Sequence, residues 1–535
     1  MYEFGALNWG VLAVYLIANI GLGVFLSTKV QSANDFFLGD KSIPWWAIGI
    51  SVVATYVSAL SFLGGPAWSY SEGMAVIAIH LNYPLVIVFV ITFLLPFFYN
   101  SGVASIHDYL EKRFGLKART VMSAIFLTSQ GLTTAAAVYA TALVINFITG
   151  FGVTEAIIIV TIIALLYTMM GGIAAVIWTD VVQAGILLVG ALIIFAALLD
   201  ALPDGLMTTL ESLKDKGMTD ALVTKFSLAE VSTVWSGVIA MTLFHITVYG
   251  ANQMMVQRTL TSKNIGDAKK SYMMMGYGAI FIYFLFLLLG VLFHNYYDGK
   301  TFENGNTIIL DFASTLAIPG LMGLIAAAVV AASMSSLDSA LNSMSTVTTI
   351  DIYQKFFKPE ASDEHYLKAS RWFTVFWAAM IIGPAILYAS SEGSILETLS
   401  KVGSFFVGAK LSLFGLGIFS KHTTERGVLI GVLFGFASVW YVASYTDIAW
   451  PWFCAVGAIT NTVVALAASL MLDGKAKEHS QYTIVGQRKW FAETGTPTTE
   501  NGWSLLPGKL DRASLYLLGF FAVSIVALWA FNALI

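Results

Sequence analysis

What most constrains this chain is a succession of apolar stretches, each about as long as the ~20 residues a helix needs to cross a bilayer. Fourteen can be marked, near 7–27, 45–66, 75–99, 120–149, 153–172, 174–202, 232–257, 272–296, 316–349, 370–392, 397–419, 425–445, 448–471 and 514–534. Charge is scarce between and within them: Asp, Glu, Lys and Arg make up 11% of 535 residues, against roughly 25% in a soluble domain. The 14 Trp, 37 Phe and 46 Gly suit membrane helices, whose ends carry aromatics and whose contacts use small residues. A disordered chain is excluded; the net charge of −4 argues against nucleic-acid binding, and the single cysteine, Cys454, against a disulfide scaffold. The expected fold class is an all-α polytopic membrane protein with about 14 transmembrane helices.

The first stretch follows Glu3 with no Lys or Arg before it, unlike a secretory signal, which starts basic and ends at a small-residue cleavage site. A retained helix with its N-terminus outside is expected. The basic residues test that orientation. Inner loops would hold Lys29, Lys41, Lys112, Arg113, Lys117, Arg119, Arg258, Lys263, Lys269, Lys270, Lys355, Lys358, Lys368, Arg371, Lys421 and Arg426. They would also hold Lys475, Lys477, Arg488, Lys489, Lys509 and Arg512, 22 in all, against four outside (Lys214, Lys216, Lys225, Lys300). Lys401 and Lys410 fall in the eleventh stretch. The bias fits the positive-inside rule and an even span count, with both termini outside a plasma or inner membrane. The longest loops, 203–231 and 473–513, carry no P-loop or dinucleotide glycine pattern, so pumping by ATP on this chain is not expected. Ile106–Phe114 (IHDYLEKRF) reads as an amphipathic inner linker with its charges solvated.

Hydrocarbon leaves no polar group without a protein partner, so polar clusters inside spans are the informative positions. The ninth stretch is richest: Ser335, Asp338, Ser339 and Asn342 recur at i, i+3, i+4 and i+7 and share one helix face. A carboxylate among hydroxyls is a set of hard oxygen donors for a small cation. The serines alone would also suit close helix packing; Asp338 tips the reading toward function. The second stretch is interrupted, with several polar groups from Ser51 to Ser61 ahead of Gly64-Gly65-Pro66, and the seventh mirrors it with His245, Thr247, Tyr249, Gly250, Asn252 and Gln253. Two broken spans at this separation match transporters built from two inverted five-helix repeats. Asp180 opens the sixth stretch, where an ordinary helix-end carboxylate is the alternative. Lys410 lies roughly 13 residues into the eleventh and about nine from its end, near mid-membrane at 1.5 Å per residue. Two roles stay open for it: pairing with Asp338 or Asp180, or meeting an anionic solute. His80 and His245 read as hydrogen-bonded lining residues, since no Cys or acidic cluster accompanies them as in a metal site.

Several motifs give the chain a family likeness. They are Asp35-Phe36-Phe37-Leu38, Lys41-Ser42-Ile43-Pro44-Trp45-Trp46, Tyr167 to Asp180 (YTMMGGIAAVIWTD), Gln257-Arg258, Ser335 to Ser343 (SSLDSALNS) and Asp351-Ile352-Tyr353. With these the sequence resembles the sodium–solute symporter family over nearly its whole length. The resemblance implies a ten-helix inverted-repeat (5+5) core. The segments would be 1–44, an extra helix and inner loop; 45–202, the first repeat; 203–231, an outer loop; 232–419, the second repeat; and 420–535, three further helices with inner loop 473–513. It implies a primary sodium site at Ala54, Val57, Ala332, Ser335 and Ser336. A second sodium would fall to Asp180, Ser335 and Ser339, with Asp338 standing where a hydroxyl is common in the family. That departure leaves three roles for Asp338: strengthening the second site, taking a proton, or being held by Lys410. The solute does not carry over. The acidic and amide groups of sugar-binding members are replaced here by Ser61, His80 and His245, and the arginine that sialate carriers use is missing from Ser129–Thr134.

The expected protein is a non-enzymatic, sodium-coupled symporter of a small polar organic solute (a sugar, sugar acid or monocarboxylate). Its partners would be that solute, sodium ions and the lipid bilayer, with no nucleic acid and no obligate protein partner. The alternatives are a sodium-independent facilitator or channel and a transporter-like sensor. Candidate solute contacts, by location, are Tyr56, Ser61, His80, Gln130, Thr133, Thr134, His245, Tyr249 and Lys410.

Overall fold

The computed structural model describes residues 4–28, 32, 41–57, 59–103, 105–302, 305–316, 318–389, 395–474 and 478–535, apart from the side chains of 27, 59, 167, 169–171 and 395–402. The motif Asp35–Leu38, Lys29, Lys475, Lys477, Ser58 and the side chains of Tyr167 and Lys401 lie outside the described residues. Among the described residues, ten helices are long and apolar enough to cross a membrane. Four shorter apolar helices accompany them: Trp45–Tyr56, Val153–Leu166, Ser236–Gly250 and Gly403–Phe419.

In chain order the principal helices are α1 (Gly5–Ser27), α2 (Trp45–Tyr56), α3 (Ala59–Glu72), α4 (Ile106–Arg113), α5 (Leu116–Thr149) and α6 (Val153–Ala201). They continue as α7 (Met241–Gly250), α8 (Gln253–Leu260), α9 (Ile265–Tyr296), α10 (Leu321–Val347), α11 (Asp363–Ala389) and α12 (Ile395–Phe419). The last are α13 (Glu425–Tyr445), α14 (Phe453–Leu472) and α15 (Arg512–Leu534). The helix α10 sits at the centre, packed against α1, α5, α6 and α11. Of its 27 residues only Leu324 and Ser336 escape full burial. Its serines, Asp338 and Asn342 need polar partners that lipid does not offer, so the helix is drawn inside the bundle.

Both expected interruptions are present. The helix α2 stops at Tyr56 because Val57 leaves helical geometry (φ −77°, ψ 87°), and α3 then runs on through Gly64-Gly65-Pro66. The helix α7 ends at Gly250, and Ala251 turns the chain (φ −131°, ψ 30°). Asn252 restarts it as the cap of α8, its side chain accepting from Met254 N at 3.0 Å. The stretches expected at 153–172 and 174–202 are two helices within α6, divided by the kink at Gly172 (φ 55°, ψ −151°), a conformation that favours glycine. Gly73 ends α3 at φ +72°, where a Cβ would lie 2.6 Å from the Met218 carbonyl.

Two loop readings change. The linker helix forms as α4, but it is not a solvated amphipath: Ile106, His107, Tyr109 and Leu110 are buried, and Asp108, Glu111 and Lys112 are engaged in ion pairs. Three cations assigned to inner loops, Arg119, Arg258 and Lys269, are fully buried. The 473–513 loop folds into a helix (Ile484–Thr494) and a two-stranded hairpin pairing Thr499 with Ser504. It is fastened to the bundle by Lys269 Nζ on Ser504 O (2.8 Å) and Asp511 (2.5 Å), and by Asn100 on Leu505 O (2.7 Å).

Candidate functional site

A cavity of about 310 Å³ opens where α2, α3, α5, α7, α9, α10 and α12 meet. Tyr56, Ser61, His80, Gln130, Thr133, Thr134, His245 and Lys410 all line it. Tyr249 does not; it lies behind Tyr56, ring centroids 5.6 Å apart, with its carbonyl accepting from Tyr272 at 2.6 Å. Ser129 and Asn252, singled out in the sequence but not as solute contacts, also line the cavity; sequence reasoning missed Tyr283 and the aromatic walls Trp68, Phe244 and Trp450. Tyr283 stands in an apolar run of the sequence that carries no polar signal.

Hydrogen bonding fixes the polarity of several of these groups. The Asn82 amide donates to Ile79 O (2.8 Å) and Gly237 O (3.0 Å), which orients its oxygen toward His245 Nδ1 at 2.6 Å. That assigns the proton of a neutral His245 to Nδ1 and leaves Nε2 an acceptor. Tyr56 must then donate its hydroxyl proton to Nε2, at 2.7 Å. Its oxygen is left to accept, from the neighbouring Tyr83 hydroxyl and from a group in the cavity that Tyr56 lines. His80 stacks on Tyr283 (centroids 3.5 Å, planes 9° apart), and Ser61 contacts the Tyr283 hydroxyl at 3.1 Å. Lys410 Nζ donates to Ser129 Oγ at 2.6 Å.

A second cavity, about 320 Å³ and mainly apolar, is lined by Ala54, Val57, Ala332 and Ser335, together with Gln183 and residues of α6 and α9. The fifth residue implied for the primary cation site, Ser336, faces the first cavity instead and donates to Thr55 O at 3.3 Å. Ser335 donates to Asp180 Oδ1 at 2.6 Å and Ser51 to Oδ2 at 2.5 Å. Arg258, fully buried, joins this group: it donates to Ser51 (2.7 Å), to Met254 O (2.6 Å), to Asp180 (3.4 Å) and to Ser339. Asp338 accepts from Thr179 at 3.3 Å and Ser339 at 3.2 Å, and Arg258 faces both carboxylates. Asp180 is thus no ordinary helix-end carboxylate, and its cation is Arg258. The pairing of Lys410 with Asp180 or Asp338 is replaced by the Ser129 contact.

A third cluster joins α4, α5 and α10. Asp351, buried just past α10, accepts from Arg119, from His107 Nδ1 (2.9 Å), from Ser105 (2.9 Å) and from Ser123 (3.3 Å). Arg119 also bridges Asp108 (3.0 Å) and Glu111 (2.6 Å), and Lys355 returns to Glu111 at 3.1 Å. Burial raises the pKa of Glu111, but hydrogen bonds from Arg119 and Lys355 outweigh it and hold the group below the usual carboxylate range. Gln253 of α8 accepts from Ile106 N at 2.9 Å, tying the broken seventh stretch to the same cluster.

Residues 36–435 match the sodium:solute symporter family, and the chain belongs to it. The sodium/sialic acid symporter of Aliivibrio fischeri is 29% identical over 88% of this chain and 94% of its own. Sodium-coupled monocarboxylate transporter 1 of Mus musculus is 30% identical over 82% of this chain and 73% of its own. A sodium/glucose cotransporter of Vibrio parahaemolyticus is 29% identical over 79% and 82%. Among solved structures, a Na+-coupled sialic acid symporter, substrate-bound and outward-open, superposes with a TM-score of 0.82 at 27% identity. It covers 89% of this chain and is itself covered completely.

Proposed function

We propose that this protein is a secondary active transporter that imports a small polar organic solute together with sodium by alternating access. Family membership and relatives named as sodium-coupled symporters of sialic acid, glucose and monocarboxylates support sodium as the coupling ion. The primary ion is assigned to Ala54, Val57, Ala332, Ser335 and Ser336, and a second to Asp180, Asp338, Ser335 and Ser339. The solute is assigned to the 310 Å³ cavity. The chain is read as fourteen spans with a 5+5 core, both termini outside.

The observation that carries this reading is that α2 and α10 wall both cavities. Thr55 and Ser336 face the solute cavity, while Ala54, Val57, Ala332 and Ser335 face its neighbour. The end of α2 leaves carbonyls without helical partners, and α10 presents hydroxyls to them, as in Ser336 on Thr55 O. A cation drawn between them would hold the two helices at one spacing and so set the shape of the solute cavity. Coupling follows only if sodium binds the outward state more tightly, since equal affinity shifts nothing. The membrane potential then adds about 2.3 kcal/mol per charge per 100 mV.

Uptake into proteoliposomes with and without a sodium gradient tests the reading. Sodium-driven accumulation is expected in the parent protein, and a drop of about tenfold or more in Ser335→Ala/Ser336→Ala, each ligand lost being worth on the order of 1–2 kcal/mol. Full-strength uptake in that variant would sink the primary site. Solute equilibration indifferent to the gradient would make the protein a facilitator.

A further inference from the structure

We propose that the solute is a hydroxylated carboxylate of sugar-acid size, and that Lys410 is the residue that reads its carboxylate. The inference rests on the symport reading, because it takes the 310 Å³ cavity as the solute site.

Charge comes first. Lys410 is 7% exposed and is the one charged side chain among the described residues lining the cavity. An ammonium has three donors, and among the described residues its hydrogen-bond partner is the neutral Ser129 hydroxyl at 2.6 Å. The other buried cations are matched by carboxylates: Arg258 faces Asp180, Arg119 faces Asp351, and Lys269 faces Asp511. A buried charge needs a paired and hydrogen-bonded partner to offset its lost hydration. Among the described residues lining this cavity there is no carboxylate, and the Phe126 ring lies 5.7 Å from the ammonium, so the partner of opposite sign arrives with the solute. A neutral sugar would leave the ammonium with the Ser129 hydroxyl and that ring alone.

The remaining lining selects for hydroxyls. The Asn82–His245–Tyr56 chain commits the Tyr56 proton to His245, so toward the cavity this hydroxyl can only accept, and beside Tyr83 it has room for a solute group that donates. Ser129, Gln130, Thr133 and Thr134 follow at i, i+1, i+4 and i+5 along α5, so they share one face of that helix. Lys410 is anchored at Ser129, where that polar row begins. A carboxylate held there places the rest of the molecule along hydroxyl and amide groups. The volume agrees: about 310 Å³ is at the small end of the ~300–1,000 Å³ usual for ligand sites. It suits one hydroxylated six-carbon unit, and a three-carbon acid would leave much of it to water.

The test uses purified full-length protein in sodium buffer. The probes are D-glucuronate, D-galacturonate and D-gluconate, their uncharged amides, D-glucose, D-galactose and L-lactate, ranked by thermal shift and competition. At least one sugar acid should bind about tenfold or more tighter than its amide, its parent sugar and lactate, because a site built for a polar group rejects the analogue lacking it. Lys410→Met should bring the acid-to-amide ratio to about one, chiefly by weakening the acid. Lys410→Arg should keep most of the preference, and Ser129→Ala, which leaves the charge in place, should weaken it partway. The proposal is overturned if a neutral sugar or lactate binds as tightly as every acid, if no acid in the panel binds, or if Lys410→Met keeps the acid preference. Sodium-driven accumulation of a neutral sugar would end the carboxylate assignment and leave symport standing. An acid preference that depends on Lys410 without sodium-driven accumulation would do the reverse.

Discussion

Arg258 and Lys410 are both buried cations, and their surroundings give them opposite tasks. Arg258 is held by Ser51, Ser339, Met254 O and Asp180, every contact internal to the protein. Lys410 has a neutral hydroxyl and an open cavity. Two carboxylates, Asp180 and Asp338, face the single guanidinium of Arg258 among the described residues, which is an arrangement suited to a further monovalent cation. If Asp338 serves a second sodium, Asp338→Asn should lower the Hill coefficient of sodium-dependent uptake from about two toward one, with the protein still folded. An identical sodium dependence in the variant would reject that role. The sequence made part of this legible. Ser335, Asp338 and Ser339 share a helix face by spacing alone, and their closeness needs no tertiary information. The Arg258–Asp180 pair was not legible, since its members lie 78 residues apart on different helices, and Arg258 was counted as an inner-loop charge. Lys410 is buried inside its helix, but its partner Ser129 belongs to another helix 281 residues away, and no local pattern joins the two.

At the scale of elements, periodicity and hydropathy locate the helices and the two interrupted stretches. The break of the second stretch falls at Val57, inside the run of polar and small residues from Ser51 to Ser61, while Gly64-Gly65-Pro66 just beyond it stays within α3; Val57 itself is apolar. The identity of a side chain says little where tertiary contacts hold a non-helical backbone. For α4, composition points to a solvated linker, because its partners Gln253, Asp351, Gly417 and Tyr482 lie far along the chain, where no local pattern can reveal them. Its buried His107 and the Arg119–Asp351 pair fasten α4, the start of α5 and the end of α10 to one another. Removing one member strands the other: Arg119→Met should cost roughly 3 kcal/mol or more, read as a lowered melting temperature in detergent. Asp351→Asn added to it should recover part of that loss, because the stranded carboxylate is gone. Strictly additive losses in the double variant would show that the two residues act independently and that the cluster is not a fastening.

For the whole molecule, the consequence of walls shared by two cavities is thermodynamic linkage. The helix α10 is buried almost throughout, and its Ser335 and Ser336 point to different cavities although they are adjacent in sequence. Successive helical residues lie about 100° apart around the axis, so one short segment can serve an ion on one side and a solute on the other. Any shift of α10 relative to α2 is then felt at both sites. If sodium raises the affinity for the solute by a factor, the solute must raise the affinity for sodium by the same factor; couplings of this kind are typically about 5–150-fold. The prediction is measured by titrating a sugar acid in sodium and in choline buffer, then titrating sodium with and without that acid at saturation. Both ratios should be equal and well above one in the parent protein. In Ser335→Ala, which leaves the lining of the solute cavity untouched, both should fall toward one while solute binding in choline is retained, because only the tie to the ion is cut. Ratios of one in the parent protein would mean that the cavities share a wall without sharing free energy, and the coupling would have to lie elsewhere in the fold.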